Sequence, residues 1–326
     1  MTRSSNPQHQ PERGWARQEA REAAALIERA LLEDLPAGDL TTDSLFGDRL
    51  EASSGSAGRS GLGIVARCVA RQAGCFCGSP IAEALFEKVD RGVEVSVRVP
   101  EGGMVSGGEV LLELSGPAAV ILRVERVLLN FLQRLCGISS WTARWVAELD
   151  GLDAILLDTR KTTPGWRRLE KYAVRMGGGT NHRFDLSDAI MLKDNHSWIL
   201  RKVGESSLGD WLATLRKGSP EAFLQVEVDS REEFIEALDV DAENRIDSIL
   251  LDNFSTDELA WAVEERRSRA GCRLLLEASG GIHLENVRRI AETGVERISV
   301  GALTHSAPAL DVSLELSEVF ELEQEK

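Results

Sequence analysis

No apolar run in these 326 residues approaches the ~20 residues that a membrane-spanning helix needs. From Met1 to Trp15 there are two prolines and no apolar segment of the kind a secretion signal carries. Residues 1–18 are therefore expected to be a disordered extension. Positive charge is in short supply: 38 Lys and Arg face 53 Asp and Glu, giving a formal net charge of −15. That balance argues against nucleic acid or an anionic membrane surface as the main partner. The five cysteines are odd in number, and Cys75 and Cys77 have one residue between them, which is not zinc-site spacing. Reduced or buried thiols in a cytoplasmic protein are the expectation. Lysine is scarce, with only Lys88 preceding Lys161.

Against this acidic background one segment reverses sign. Between Asp158 and His196 lie eight Lys or Arg (Arg160, Lys161, Arg167, Arg168, Lys171, Arg175, Arg183, Lys193) and five Asp or Glu, with His182 and His196 in addition. A local excess of positive charge focuses anionic ligands. The clusters are short and sit beside apolar runs, so the ligand they suit is small.

The chain is long enough for two domains. An Ala/Leu/Ile pattern predicts an amphipathic helix over Ala20–Leu32, stopped by Pro36 and Gly38. The Ser/Gly-rich stretch Ala52–Gly63 reads as a mobile loop, followed by strand-like runs at Ile64–Ala70, Val93–Val99 and Val110–Leu114. Val120, Val124, Val127, Leu128, Phe131, Leu132 and Leu135 then give one helical stripe, with Arg126 and Arg134 off its centre. Taken alone, either arginine reads as part of a solvated helix face.

The second half changes rhythm. Short apolar runs recur at Ile155–Leu157, Ile190–Leu192, Leu224–Val228, Ile249–Leu251, Leu274–Leu276 and Ile298–Val300, with helical stretches between them. Ser255–Arg269, opened by a Ser255/Glu258 capping box, and Leu284–Thr293, closed by Gly294, are two such stretches. Alternating strands and helices imply parallel β/α units, and six runs suit a barrel better than an open sheet. Chemistry-bearing residues stand at the run ends: Asp158 leading to Arg160 and Lys161, Lys193-Asp194, Glu227 with Asp229, Asp252-Asn253, Glu277 before Ser279-Gly280-Gly281, and Gly301. In a β/α barrel the strand carboxyl ends open on one face, where active sites form and the last turns commonly seat a phosphate.

Several ordered motifs carry a resemblance. Asp158-Thr-Arg-Lys-Thr-Thr-Pro-Gly165, Gly177-Gly-Gly-Thr-Asn-His-Arg183, Lys193-Asp-Asn-His196, Val226-Glu-Val-Asp229, Leu251-Asp-Asn253 and Glu277-Ala-Ser-Gly-Gly281 closely resemble the quinolinate phosphoribosyltransferases, or carboxylating nicotinate-nucleotide pyrophosphorylases. Glu33-Asp34, Gly38-Asp-Leu-Thr-Thr42, Glu125-Arg126, Asn130-Phe-Leu-Gln-Arg134 and Gly137 agree, so the likeness spans about Ala20 to Pro308. Trp166 and the Cys75/Cys77 pair depart from it locally.

The resemblance implies a fold of the type II phosphoribosyltransferase kind. An N-terminal α/β sandwich (19–128, joined by the tail 306–326) would precede an incomplete α/β barrel (129–305). It also implies a homodimer with shared active sites, or a higher oligomer. The reaction implied joins quinolinate to phosphoribosyl pyrophosphate (PRPP) with Mg²⁺, releasing pyrophosphate and CO₂ and leaving nicotinate mononucleotide for NAD synthesis. Carried onto this sequence, Arg160, His182, Arg183 and Lys193, with Arg126 from a second copy, would meet quinolinate. Lys161, Glu227 and Asp252 would be catalytic, the two carboxylates also serving Mg²⁺ through water. Ser279, Gly280, Gly281, Gly301 and Ala302 would cradle the 5′-phosphate.

Rival readings have less support. A Schiff-base aldolase built on Lys193 leaves the surrounding cations without purpose. A molybdenum-transport-associated paralogue of the same family is disfavoured by the complete motifs beginning at Asp158 and Lys193. A lipoyl-type carrier hairpin at Val99–Gly116 lacks the lysine it needs, having Val105-Ser106 at the turn.

Overall fold

A computed structural model describes residues 15–50, 61–204, 207–241, 246–269 and 273–322. In chain order the first elements are α1 (Arg17–Asp34), α2 (Leu40–Leu50), β1 (Leu62–Ala70), β2 (Gly74–Cys75), α3 (Ser79–Val89), β3 (Glu94–Val97), β4 (Met104–Val105), β5 (Val110–Pro117) and α4 (Ala118–Glu148). Then follow β6 (Ile155–Leu157), α5 (Arg167–Met176), β7 (Ile190–Leu192), α6 (Asp194–Lys202), α7 (Leu208–Gly218), β8 (Leu224–Val228) and α8 (Arg231–Val240). The chain ends with β9 (Ser248–Asp252), α9 (Thr256–Ser268), β10 (Leu275–Ser279), α10 (Val287–Glu292), β11 (Arg297–Ser299), α11 (Ala302–His305) and β12 (Val312–Glu321).

Two compact units emerge. Among the described residues, one comprises those of 15–143, 163–178 and 306–322, and the other those of 144–162 and 179–305. The first is built on an antiparallel sheet of order β12-β1-β5-β3. β12, which no periodicity in the sequence announces, pairs along the whole of β1, from Leu62–Glu321 to Ala70–Val312. Leu62 and Gly63, expected in a loop, belong to that pairing, and residues 52–60 of the expected loop lie outside the described residues. So do residues 1–14 of the expected extension, while α1 begins at Arg17.

The four described cysteines, Cys68, Cys75, Cys77 and Cys136, are buried thiols. Burial pushes the Cys68 thiol up to about 12 and Cys77 well above its usual value, which suits packing and not reactivity. Trp166 stacks on Phe131, ring centroids 4.9 Å apart.

The second unit is a six-stranded parallel sheet of order β6-β11-β10-β9-β8-β7. β6 and β7, consecutive in the chain, are its two edges and are not paired with each other, so the barrel is incomplete. Three strands match the apolar runs to the residue (β6, β7, β8), whereas β9 and β10 extend past the runs to Asp252 and Ser279. That extension places Glu277 inside a strand and not at its end. The helix expected over Leu284–Thr293 is only Val287–Glu292, but the Ser255/Glu258 capping box opens α9 as expected.

Gly137, in the middle of α4, is where the tail approaches most closely. A Cβ there would overlap the Pro308 carbonyl and sit 2.9 Å from Ala309 Cα. Gly→Ala in a helix gains up to about 1 kcal/mol of propensity, but overpacking against backbone costs about 1–3 kcal/mol or more. Gly137→Ala should therefore lower stability in urea unfolding; a more stable variant would contradict this packing.

Candidate active site

Strand parity and register build the site. Side chains two apart on a strand share a face, and in-register neighbours point the same way. Glu227, Leu250 and Glu277 are register partners across β8, β9 and β10, and Glu277 pairs in turn with Arg297 of β11. One step toward the carboxyl ends, Asp252 is paired with Ser279. One step below, Gln225 is paired with Ser248 and Met191. These inward layers floor a cavity of about 400 Å³ at the carboxyl ends of the strands, lined also by Thr159, Arg160, Lys161, His182, Arg183, Lys193 and Ser299.

The structure therefore gathers Arg160, Lys161, His182, Arg183, Lys193, Glu227, Asp252 and Ser279 around one cavity. Of the eight basic residues between Asp158 and His196, only four are here. Arg167, Arg168, Lys171 and Arg175 lie on α5 in the other unit, where Arg175 forms a buried pair with Glu19 (3.1 Å). The sign reversal in the sequence thus overstates the site's charge. Arg126 is an exposed residue of α4 in the other unit, and Arg134 pairs with Glu170 at 2.6 Å.

The electrostatics leave positive charge unspent. Lys193 Nζ donates to Glu227 Oε2 at 2.6 Å, one paired cation. Arg183 has its pKa lowered by partial burial first and then by the nearby charge of Arg160, with the carboxylates of Asp188, Glu227 and Asp185 acting in the opposite sense. Arg183 Nη1 is braced on the Ala189 carbonyl (2.9 Å), and the Arg160 Nε is buried without a hydrogen-bond partner. Two like charges held close in a partly buried site are stabilised by an anion that can accept from both.

Loops carry these groups on fixed anchors. The fully buried Asp158 accepts from Asn181 Nδ2 (2.6 Å) and the His182 backbone N–H (2.8 Å), tying the Thr180–Arg183 segment to β6. Thr304 Oγ1 donates to the Lys161 carbonyl at 2.8 Å, joining the Arg160-Lys161 loop to the Gly301 turn. Asn253, at φ 58°, donates its N–H to the Ser279 carbonyl (2.8 Å), and Gly280 and Gly281 follow with φ of 82° and 61°. Ser279-Gly280-Gly281 and Gly301-Ala302 thus stand at the carboxyl ends of two neighbouring strands, β10 and β11.

Beneath the mouth lies a polar chain of which the run-end pattern names only Glu277, as a strand end. Glu277 is fully buried: Arg297 Nε donates to its Oε2 (2.8 Å), as does Gln225 Nε2 (2.9 Å). His182 Nε2 is 3.2 Å from its Oε1. Burial pushes the Glu277 carboxyl up, but His182 and Arg297 together outweigh it and hold it well below the usual carboxylate range. Its one sequence signal was a charged residue among apolar ones, which does not separate inward from outward.

The chain belongs to the quinolinate phosphoribosyl transferase family. The N-terminal domain model of that family matches residues 39–136 and the C-terminal domain model residues 138–315. It is 39% identical over 296 residues to a probable carboxylating nicotinate-nucleotide pyrophosphorylase of Bacillus subtilis, covering 90% of this chain and 92% of that protein. It is 40% identical over 293 residues to the corresponding Mycobacterium leprae protein, covering 89% of this chain and 95% of that one. The solved nicotinate-nucleotide pyrophosphorylase of Francisella tularensis superposes with a TM-score of 0.80 at 31% identity, covering 91% of this chain and 97% of that one.

The two glycine turns differ in what they tolerate. A Cβ on Gly301 would meet Lys161 Cδ at 2.8 Å and His305 Nε2 at 3.0 Å, both side-chain atoms that can move. One on Gly280 would meet the Asn253 backbone N at 2.8 Å, on a residue whose φ is already positive. Gly280→Ala should cost about 1–3 kcal/mol in thermal unfolding, while Gly301→Ala should stay within about 0.5 kcal/mol of the parent and displace Lys161. Equal stability losses would contradict this geometry.

Proposed function

We propose that the barrel mouth binds quinolinate beside PRPP and that the residues converging there divide the work. As a family member, the chain transfers the phosphoribosyl group of PRPP to quinolinate with decarboxylation, forming nicotinate mononucleotide, pyrophosphate and CO₂ in NAD biosynthesis. The observation that carries the assignment of roles is that Arg160 and Arg183 line one cavity, where a planar dicarboxylate can accept from both guanidinia. Lys193 adds a third cation and His182 walls the pocket. Arg126 would come from a second copy, making a homodimer with shared sites. The proposed first domain, 19–128 closed by 306–326, would then cover the partner's catalytic domain, 129–305, and exclude water.

Lys161 would neutralise the departing pyrophosphate, and Ser279, Gly280, Gly281, Gly301 and Ala302 would seat the 5′-phosphate. Glu227 and Asp252 would accept from ribose hydroxyls and offset the charge growing at the anomeric carbon, whose transition state resembles an oxocarbenium ion. They also suit Mg²⁺. Among the described residues there is no group of three or more protein donors, and Mg²⁺ is usually held by one or two carboxylates plus substrate phosphates and water. When bound, Mg²⁺ would neutralise pyrophosphate charge.

In bond terms, the anomeric C–O bond to pyrophosphate breaks as the pyridine nitrogen forms its bond to the same carbon. The ring is then cationic, so the C2–carboxylate bond can break with its electron pair left on C2, which takes a proton. No other cofactor is needed. Among the described residues no helix is long and apolar enough to cross a membrane, and a cytoplasmic enzyme fits the buried thiols.

Incubation with quinolinate, PRPP and Mg²⁺ should give nicotinate mononucleotide, pyrophosphate and CO₂ in equal amounts. Turnover of another pyridine in place of quinolinate would overturn the substrate assignment. Glu227→Gln and Asp252→Asn should each lower kcat about 10²–10³-fold with Mg²⁺ present, the usual loss for one preorganised charge. Parent-like rates would make them ordinary strand carboxylates. Heterodimers of Arg126→Ala and Lys161→Ala chains should regain activity, because one hybrid site keeps both residues. No recovery in verified heterodimers would return Arg126 to a solvated helix face.

A further inference from the structure

Among the described residues Asn253 is the one residue other than glycine whose φ is positive, at 58°. It follows Asp252, the last residue of β9, and precedes by two residues Ser255, the N-cap of α9. A left-handed residue there turns the chain from strand to helix. Asparagine tolerates that conformation because its short amide can bond locally. Glycine tolerates it better still, so the turn alone does not call for an amide.

The side chain separates this position from a plain turn. Asn253 Nδ2 donates to Asp252 Oδ2 at 2.8 Å, the one hydrogen bond that the Asp252 carboxylate makes to a described residue. Only the NH₂ end of the amide can donate to a carboxylate, which fixes which way the amide faces. The bond holds the Asp252 side chain in one orientation and leaves its Oδ1 for a ligand in the cavity that Asp252 lines. On its other side Asn253 meets the glycine turn. Its backbone N–H donates to the Ser279 carbonyl at 2.8 Å, and its amide lies over Gly280, where a Cβ would meet Asn253 Cγ at 2.7 Å. One residue thus touches both the carboxylate that ends β9 and the turn that follows β10.

We propose that Asn253 is a positioning residue for PRPP, whose amide orients the Asp252 carboxylate toward the ribose at a fixed distance from the Ser279-Gly280 turn. The proposal rests on the reading of Asp252 and of Ser279-Gly280-Gly281 as PRPP contacts. The ribose hydroxyls and the 5′-phosphate belong to one sugar, so the groups that receive them must keep a set spacing, and Asn253 bridges those groups. The left-handed backbone is what brings the amide between them.

Substitution separates this role from that of a turn. Asn253→Gly keeps the left-handed backbone without strain and removes the amide. Asn253→Asp keeps the size but replaces the donor with a second carboxylate, which repels the first. A hydrogen bond to a charged group is worth about tenfold in an equilibrium. Asn253→Gly should therefore lower kcat/KM for PRPP about tenfold, with KM for quinolinate within about twofold of the parent, and Asn253→Asp should lose at least as much. Parent-like kinetics in Asn253→Gly would reduce the residue to a turn and overturn the proposal. So would a KM for quinolinate raised about tenfold, the mark of a general loosening of the mouth.

A double-mutant cycle shows whether the amide acts through the carboxylate. In an Asp252→Ala background, Asn253→Gly should cost nothing further, because the group it orients is gone. If Asp252→Ala is slow and the two losses multiply, the proposal alone fails. If Asp252→Ala turns over at the parent rate, the reading of Asp252 fails and takes the proposal with it.

Discussion

Two guanidinium groups that repel each other can be kept together only by a frame that does not relax. The Arg160–Arg183 pair imposes that condition on the barrel mouth. Arg183 is braced by the Ala189 carbonyl and by a backbone segment anchored to Asp158. The Arg160 loop is tied through the Lys161 carbonyl to Thr304. Each tether reaches back to the sheet, so both arginines are held at the cavity. A flexible loop would instead swing one arginine into water.

The buried Glu277–Arg297 pair belongs to the same frame. Such a pair contributes little net stability, because desolvation offsets attraction, yet losing one partner costs about 3–5 kcal/mol. Its value here is geometric. Glu277 orients Gln225, Gln225 meets His182, and His182 holds the Arg183 amide. One inward layer of the sheet thus sets the geometry of the group that meets solvent above it.

Much of this was legible in the sequence, for a physical reason. Parallel strands in a barrel are buried on both faces, so they read as short apolar runs, and the first charged residue marks the exit toward the mouth. That logic locates Arg160, Lys193, Glu227 and Asp252. It fails at Glu277 and Arg297, which are charged yet inside strands, where only a mutual partner makes burial tolerable. It fails also at α5, whose Lys171 and Arg175 lie near the motifs in sequence but are buried in the other unit. β12 escaped notice because its alternation is weak, and its pairing with β1, some 250 residues earlier, is a long-range fact.

The central proposal is that the Arg160 and Arg183 guanidinia select a dicarboxylate before any chemistry occurs. Calorimetric titration of quinolinate and of nicotinate onto the free protein, without PRPP, tests it most directly. Nicotinate lacks the second carboxylate and leaves one cation unsatisfied, a penalty of about 2–3 kcal/mol for a charged group. Quinolinate should therefore bind at least about 30-fold more tightly, and the preference should vanish in Arg160→Met. Equal affinities for the two acids in the parent protein would contradict the account.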